Sequence, residues 1–121
     1  MFKGDAGSGP EITVDGDGVE GGSPMGLLLL SLVGCMAIDI RVILEKSRVK
    51  LESLEMVAEG IRAETEPRRY ESIELVCRVE GPGEEDHDKV QRAVDLSRDK
   101  YCSVLHSLSP DIDLTIRVER A

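Results

Sequence analysis

The feature that most constrains this chain is an uncharged, almost wholly apolar run from Met25 to Ile38. Ser23, just ahead of it, is a favourable N-cap, and Pro24 suits the first helical position because its missing N–H is not needed there. We therefore predict a helix over residues 24–46, which ends among basic residues that suit the negative end of the helix dipole. A helix that is apolar on every side has to be buried on every side.

We interpret this helix as the central helix in the core of a soluble protein and not as a membrane span. A span needs about 18 or more consecutive apolar residues, and Asp39 and Arg41 interrupt the run. The first five residues lack the basic and apolar regions of a secretory signal. We therefore predict a cytoplasmic protein that does not contact membranes.

Size and charge narrow the possible partners. A chain of 121 residues predicts a single domain over residues 1–121, small enough that a partner subunit could supply much of its burial, and a monomer would bury the central helix poorly. The formal net charge of -9 argues against nucleic acid, whose phosphates attract clustered Lys and Arg. Three cysteines without a secretory signal do not indicate a structural disulfide framework.

Alternation of apolar and polar residues predicts the strands. Residues 54–59 and 73–80 both alternate, and Pro67 lies in the turn between them, so we expect an antiparallel hairpin. A short strand is predicted over residues 11–14 and a last strand over residues 112–119. Because strands and helices do not alternate strictly along the chain, the fold class is α+β.

A second helix is predicted from apolar residues at intervals of three and four between Val90 and Tyr101. The same spacing places Cys102 away from the apolar stripe, and a break near Tyr101 would change its direction. If the helix breaks there, Cys102 lies at a new helix N-terminus, where the dipole lowers the pKa of a thiol. It would then be the more readily ionised cysteine.

Several short segments carry a family resemblance: SPM at residues 23–25, LLL at 27–29, GC at 34–35 and KYCSV at 100–104. Together they resemble the OsmC/Ohr family, the osmotically inducible protein C and organic hydroperoxide resistance proteins. The run at 39–46 is similar to an OsmC-like branch of less defined function. The resemblance covers nearly the whole chain and implies an OsmC-like fold, with antiparallel sheets wrapped around a long buried helix in an intertwined homodimer.

The resemblance also implies a catalytic pair, with Cys35 as the peroxidatic and Cys102 as the resolving cysteine. Such a chain would be a thiol peroxidase of oxidative stress defence that reduces organic hydroperoxides and is itself reduced by an external dithiol of lipoyl type. It would need no cofactor and no metal. Ohr-type members carry a glutamate after the helix-opening proline, where this chain has Met25 and Gly26, and an arginine near the N-terminus, where the first ten residues offer only Lys3 as a cation.

Other residues near these thiols carry expectations of their own. Asp39 follows Cys35 by one helical turn, and its negative charge opposes ionisation of that thiol. Arg68 and Arg69, at the turn of the hairpin, are candidates to pair with Asp39. Cys77 lies on the apolar face of its strand and is predicted to be structural.

Alternatives stay open from the sequence. Cys102 and His106 have the i, i+4 spacing of two metal ligands, but two ligands do not make a site, so no metal is predicted there. Leu28, Leu32 and Met36 are expected to form an apolar lining that favours alkyl hydroperoxides over hydrogen peroxide. The rival functions are a non-enzymatic dimer that binds a small hydrophobic or electrophilic ligand, and a redox sensor.

Overall fold

The computed structural model describes residues 1–120, and within them it contains five β-strands and three α-helices. A 3₁₀ turn at Glu84–Asp86 leads into the second helix, and a π-helical turn at Ser97–Tyr101 follows it. The elements in chain order are β1 (Phe2–Gly4), β2 (Ile12–Val14), α1 (Pro24–Lys46), β3 (Ser53–Arg62), β4 (Tyr70–Glu80), α2 (His87–Leu96), α3 (Ser103–His106) and β5 (Asp113–Arg120). The predicted α+β class is confirmed.

Helix α1 begins and ends where its local sequence predicts. The hydroxyl of Ser23 accepts a hydrogen bond from the backbone N–H of Gly26 at 3.1 Å, and Pro24 occupies the first turn. Lys46 lies in the last turn, where a positive charge complements the helix dipole. The cap and the proline therefore fix the start of the helix that carries Cys35.

The strands form two separate sheets. Strands β1 and β2 pair antiparallel, and a three-stranded sheet has the order β3-β4-β5. β3 and β4 form the predicted antiparallel hairpin, whereas β5 pairs parallel to β4. This departs from the expected all-antiparallel pairing because a helical crossover joins β4 to β5 and brings the chain back to the same end of the sheet. β1 was not predicted, because its three residues are all exposed and show no alternation.

The core lies between α1, α2 and the three-stranded sheet. Residues of α1 spaced mainly by four contribute its inner face, and alternate residues of β4 cover the sheet. The fully buried members from these two elements are Leu32, Met36, Ile40, Leu44, Ile73, Leu75, Cys77 and Val79. Burial raises the pKa of the Cys77 thiol to about 11, which fits its predicted structural role.

The outer face of α1 is not covered within one chain. Leu30 is 62% exposed and Ile38 is 59% exposed, with Gly34 exposed between them. Burial on every side is therefore not achieved by the single chain. By length and composition α1 would also qualify as a membrane span, contrary to the argument from Asp39 and Arg41, but its inner face forms part of the protein core.

Candidate functional site

Two polar groups stand one turn apart on α1, near the middle of the helix. Cys35 and Asp39 have the i, i+4 spacing that places side chains on the same helical face. Both are half-buried, whereas Met36 and Ile40, next to them, are fully buried in the core. The pair therefore lies at the boundary between the core and the surface of the chain.

Cys102 is placed by a break after α2, at the position considered from the sequence. The π-helical turn closes with a hydrogen bond from the backbone N–H of Cys102 to the carbonyl of Ser97 at 2.8 Å, and Cys102 itself is extended, with φ -71° and ψ 101°. It forms the N-cap of α3, where its sulfur accepts a hydrogen bond from the N–H of Leu105 at 3.4 Å. Tyr101, predicted to continue the buried stripe, is 49% exposed, because the wider turn changes the direction of the side chains that follow.

The break after α2 places Cys102 close to Cys35. The sulfurs of Cys35 and Cys102 and a carboxylate oxygen of Asp39 all lie within 4.8 Å of one another. The buried hydroxyl of Ser97 donates a hydrogen bond to Oδ2 of Asp39 at 2.9 Å. The role of Ser97 was not predicted from the sequence, although a lone hydroxyl residue on the apolar stripe of the predicted second helix was the available signal.

Electrostatics in this cluster keep Cys102 protonated. Burial raises the pKa of the Cys102 thiol to about 11, and contact with Cys35 and the negative charge of Asp39 act in the same direction. The hydrogen bond from Leu105 opposes this effect only in part. The expectation that the helix N-terminus lowers the pKa of Cys102 is therefore wrong. Helix α3 has only four residues, so few aligned peptide dipoles act on the sulfur.

The arginines of the hairpin turn do not approach this site. Arg69 forms an ion pair with Asp111 at 2.8 Å, and Arg68 donates from Nε to the carbonyl of Ala63 at 3.4 Å. Within residues 1–120 no Lys or Arg forms an ion pair with Asp39. The predicted pairing of Asp39 with Arg68 or Arg69 is therefore wrong, since local partners hold both guanidinium groups.

A groove between α1 and α2 leads to the Asp39 side of the cluster. It has a volume of about 480 Å³ and is lined by Asp39, Leu96 and Tyr101 together with the basic side chains of Lys46 and Arg92. The groove gives solvent and small molecules a route toward the carboxylate that neighbours both thiols.

The geometry also bears on His106 and on the expected apolar lining of the pocket. The ring nitrogens of His106 lie 2.8 Å from the carbonyl oxygen of Cys102 and 3.3 Å from that of Asp99, so the imidazole is engaged by the backbone and not by the thiol. Leu32 and Met36 are fully buried in the core. They therefore do not line an open pocket, contrary to the predicted alkyl-binding surface.

Comparison with known proteins agrees with this architecture. The chain is 39% identical over 115 residues to protein YhfA of Escherichia coli K12, covering 94% of this chain and 85% of YhfA. A solved structure of a protein from Aquifex aeolicus VF5 has 35% identity and a TM-score of 0.81, covering 92% of this chain and 80% of that one. The organic hydroperoxide resistance protein OhrB of Bacillus subtilis shares the fold at 14% identity and a TM-score of 0.61, covering 85% of this chain and 74% of OhrB.

The family itself is defined by a match over most of the sequence. Residues 15–117 match the family of OsmC-like proteins. This range contains α1 and the whole Cys35, Asp39 and Cys102 cluster. On the extent of that match, the chain belongs to the family of OsmC-like proteins.

Proposed function

We propose that this protein reduces organic hydroperoxides in the cytoplasm, with Cys35 as the peroxidatic and Cys102 as the resolving cysteine. The observation that carries the proposal is the approach of the two sulfurs to within 4.8 Å of each other. Support comes from membership of the OsmC-like family and from the shared fold of organic hydroperoxide resistance proteins such as OhrB. Cys77 takes no part, because it is fully buried in the core beneath the sheet.

The chemistry divides into three balanced steps. The Cys35 thiol attacks the peroxide as thiolate, breaks the O–O bond and becomes a sulfenic acid, while the substrate leaves as an alcohol. The Cys102 thiol then attacks the sulfenic sulfur, which forms the disulfide and releases water. An external dithiol exchanges with this disulfide, becomes a disulfide itself and returns both protein thiols to the reduced form.

The groove supports an organic substrate. Val42, Ile43 and Leu96 line it together with Asp39, so an alkyl chain held there would lie close to the reacting thiols. Hydrogen peroxide cannot gain from such apolar contacts. We therefore expect faster oxidation by an alkyl hydroperoxide than by hydrogen peroxide, although the residues involved differ from those suggested by the sequence.

The functional unit of the proposal is a homodimer. Leu30, Gly34 and Ile38 follow one another at intervals of four on the exposed face of α1. A second copy of the chain that packs against this face would bury the apolar side chains, and Gly34 would allow close approach of the two helices. Cys35 neighbours this stripe, so the partner subunit would help to enclose the thiol pair.

Peptide mapping after oxidation tests the proposal directly. The reduced protein is exposed to one equivalent of an alkyl hydroperoxide or of hydrogen peroxide, and modified cysteines are identified by mass spectrometry over time. We expect a rapid Cys35–Cys102 disulfide with the alkyl oxidant that is absent in Cys35→Ser and unchanged in the matched control Cys77→Ser. Thiols that stay reduced over minutes, or equal rates with both oxidants, would contradict the proposed activity.

A second candidate function follows from the electrostatics of the cluster. The raised pKa of Cys102 and the lack of an ion-pair partner for Asp39 within residues 1–120 favour thiols that react slowly. Such a dimer would act as a redox sensor or would bind a small hydrophobic or electrophilic ligand. Oxidation to the disulfide without repeated turnover in the presence of a dithiol would identify the sensor.

A further inference from the structure

The cluster combines three side chains of the types that bind thiophilic metal ions. Cys35 and Asp39 come from one face of α1, and Cys102 comes from the start of α3, with all three ligand atoms within 4.8 Å of one another. We propose that the reduced cluster binds one Zn²⁺ ion through the sulfurs of Cys35 and Cys102 and the carboxylate of Asp39. This binding does not rest on the peroxidase activity, because it requires only reduced thiols.

The distances suit zinc after small adjustments. Zn²⁺ binds sulfur at about 2.3 Å and carboxylate oxygen at about 2.0–2.2 Å, so tetrahedral coordination separates the ligand atoms by about 3.3–3.8 Å. From a spread of at most 4.8 Å, an approach of about 1 Å between ligand atoms is enough, which side-chain rotation can supply. The Cys102–His106 pair considered from the sequence is replaced by this set, because His106 contacts backbone carbonyls.

The surroundings of the ligands also suit a metal. The Ser97 hydroxyl donates to Oδ2 of Asp39 and so holds the carboxylate in place. The backbone N–H of Leu105 donates to the sulfur of Cys102 and supports it as a thiolate. Hydrogen bonds of this kind orient metal ligands and tune their affinity. Asp39 also lines the groove, through which an ion enters and a water molecule reaches the fourth coordination position.

The negative charge of the reduced cluster favours the binding of a cation. Within residues 1–120 no basic side chain forms an ion pair with Asp39, so two thiolates beside this carboxylate would have no cation in direct contact with it. A divalent cation supplies the missing positive charge. On binding, each thiol loses its proton to solvent, so one Zn²⁺ is exchanged for two protons and no electron is transferred.

Metal binding and disulfide formation exclude each other. Both use the sulfurs of Cys35 and Cys102, so a disulfide removes two of the three ligands. The reduced chain is therefore expected to bind Zn²⁺, and oxidation is expected to release it. Bound Zn²⁺ in turn shields the thiols from peroxide, since the metal holds the electron pairs that would attack the O–O bond.

Competition with a chromophoric zinc chelator tests the site on the reduced, metal-free full-length chain. We expect one Zn²⁺ per chain, with affinity reduced about 100-fold or more in Cys35→Ser and in Cys102→Ser and unchanged in the matched control Cys77→Ser. Co²⁺ provides a second readout, because its charge-transfer absorption reports the number of thiolate ligands. Unchanged affinity in Cys35→Ser, a loss in Cys77→Ser, or a spectrum with one thiolate would overturn the proposal.

Asp39→Asn distinguishes two roles of Asp39, that of a metal ligand and that of a negative charge near the thiols. Removal of the charge makes thiolates easier to form, which by itself would strengthen metal binding, whereas loss of a ligand weakens it. We expect affinity to fall about 10- to 100-fold, and equal or tighter binding would overturn the role of Asp39. Peroxide oxidation measured on the metal-free protein reports the proposed peroxidase independently, so either proposal can fail without the other.

Discussion

Replacement of Ile38 by aspartate should dissociate the proposed homodimer without unfolding the chain. Complete burial of an isoleucine side chain contributes about 1.5–3 kcal/mol, and Ile38 is 59% exposed in the single chain, so the partner can supply about 1–2 kcal/mol of that burial. A two-fold interface uses the same residue twice, which doubles the contribution to about 2–4 kcal/mol. Ile38→Asp should therefore raise the dimer dissociation constant between about 30-fold and 1,000-fold.

Sedimentation velocity over a range of protein concentrations measures this constant. The matched control is Val19→Asp, which makes the same kind of change at a loop residue that is 81% exposed and should leave the constant unchanged. Circular dichroism checks that the Ile38→Asp chain keeps its helices. A variant that remains dimeric with an unchanged constant would refute the assignment of this α1 face as the interface, and loss of the helical signal would refute the expectation that the chain stays folded without its partner.

Three further substitutions test the site and its support. Asp39→Asn should lower the pKa of Cys102, because a nearby negative charge is removed; alkylation rates as a function of pH measure the direction of this change. Tyr70→Phe should lower the free energy of unfolding by about 1 kcal/mol in urea denaturation, because the Tyr70 hydroxyl donates to the carbonyl of Met25 at 2.8 Å. Gly60→Ala should cost about 1–3 kcal/mol in the same assay, because a Cβ there would overlap the Tyr70 ring.

Two of these three substitutions, Asp39→Asn and Gly60→Ala, have a matched control. Asp88→Asn makes the same charge change on the exposed surface of α2 and should not move the pKa of Cys102. Gly16→Ala adds a methyl group where no atom lies within 4 Å, so it should not reproduce the loss at Gly60. A raised thiol pKa in Asp39→Asn, or full stability of Tyr70→Phe, would show that the corresponding contact does not act as described.

The sequence predicts those parts of the fold that depend on local signals. Ser23 and Pro24 define the start of α1 through a cap and a fixed backbone angle, and the alternation in β3 and β4 matches their buried faces. The direction of β5 could not be predicted in this way, because parallel pairing depends on how the crossover returns to the sheet.

For the functional site, the sequence indicated which residues come together but not their chemical environment. Helical spacing raised a break before Cys102 only as a condition, and the pairing of Cys102 with Cys35 came from the family resemblance. Their chemical environment could not be read from the sequence. The pKa of Cys102 depends on burial and on Asp39, which is distant along the chain, and the partner of Arg69 is set by where Asp111 lies in the fold. The catalytic roles of the two cysteines stay predictions.

The π-helical turn after α2 contains one residue more than an α-helical turn. This extra residue determines which side chains Cys102 can contact. Such a turn shifts the phase of everything that follows it, since each residue of an α-helix advances by about 100° around the axis. In this chain the shift ends at Cys102, whose N–H reaches back five residues to Ser97. A chain with one residue fewer between Ser97 and Cys102 would still contain both cysteines, but their sulfurs would no longer lie close together.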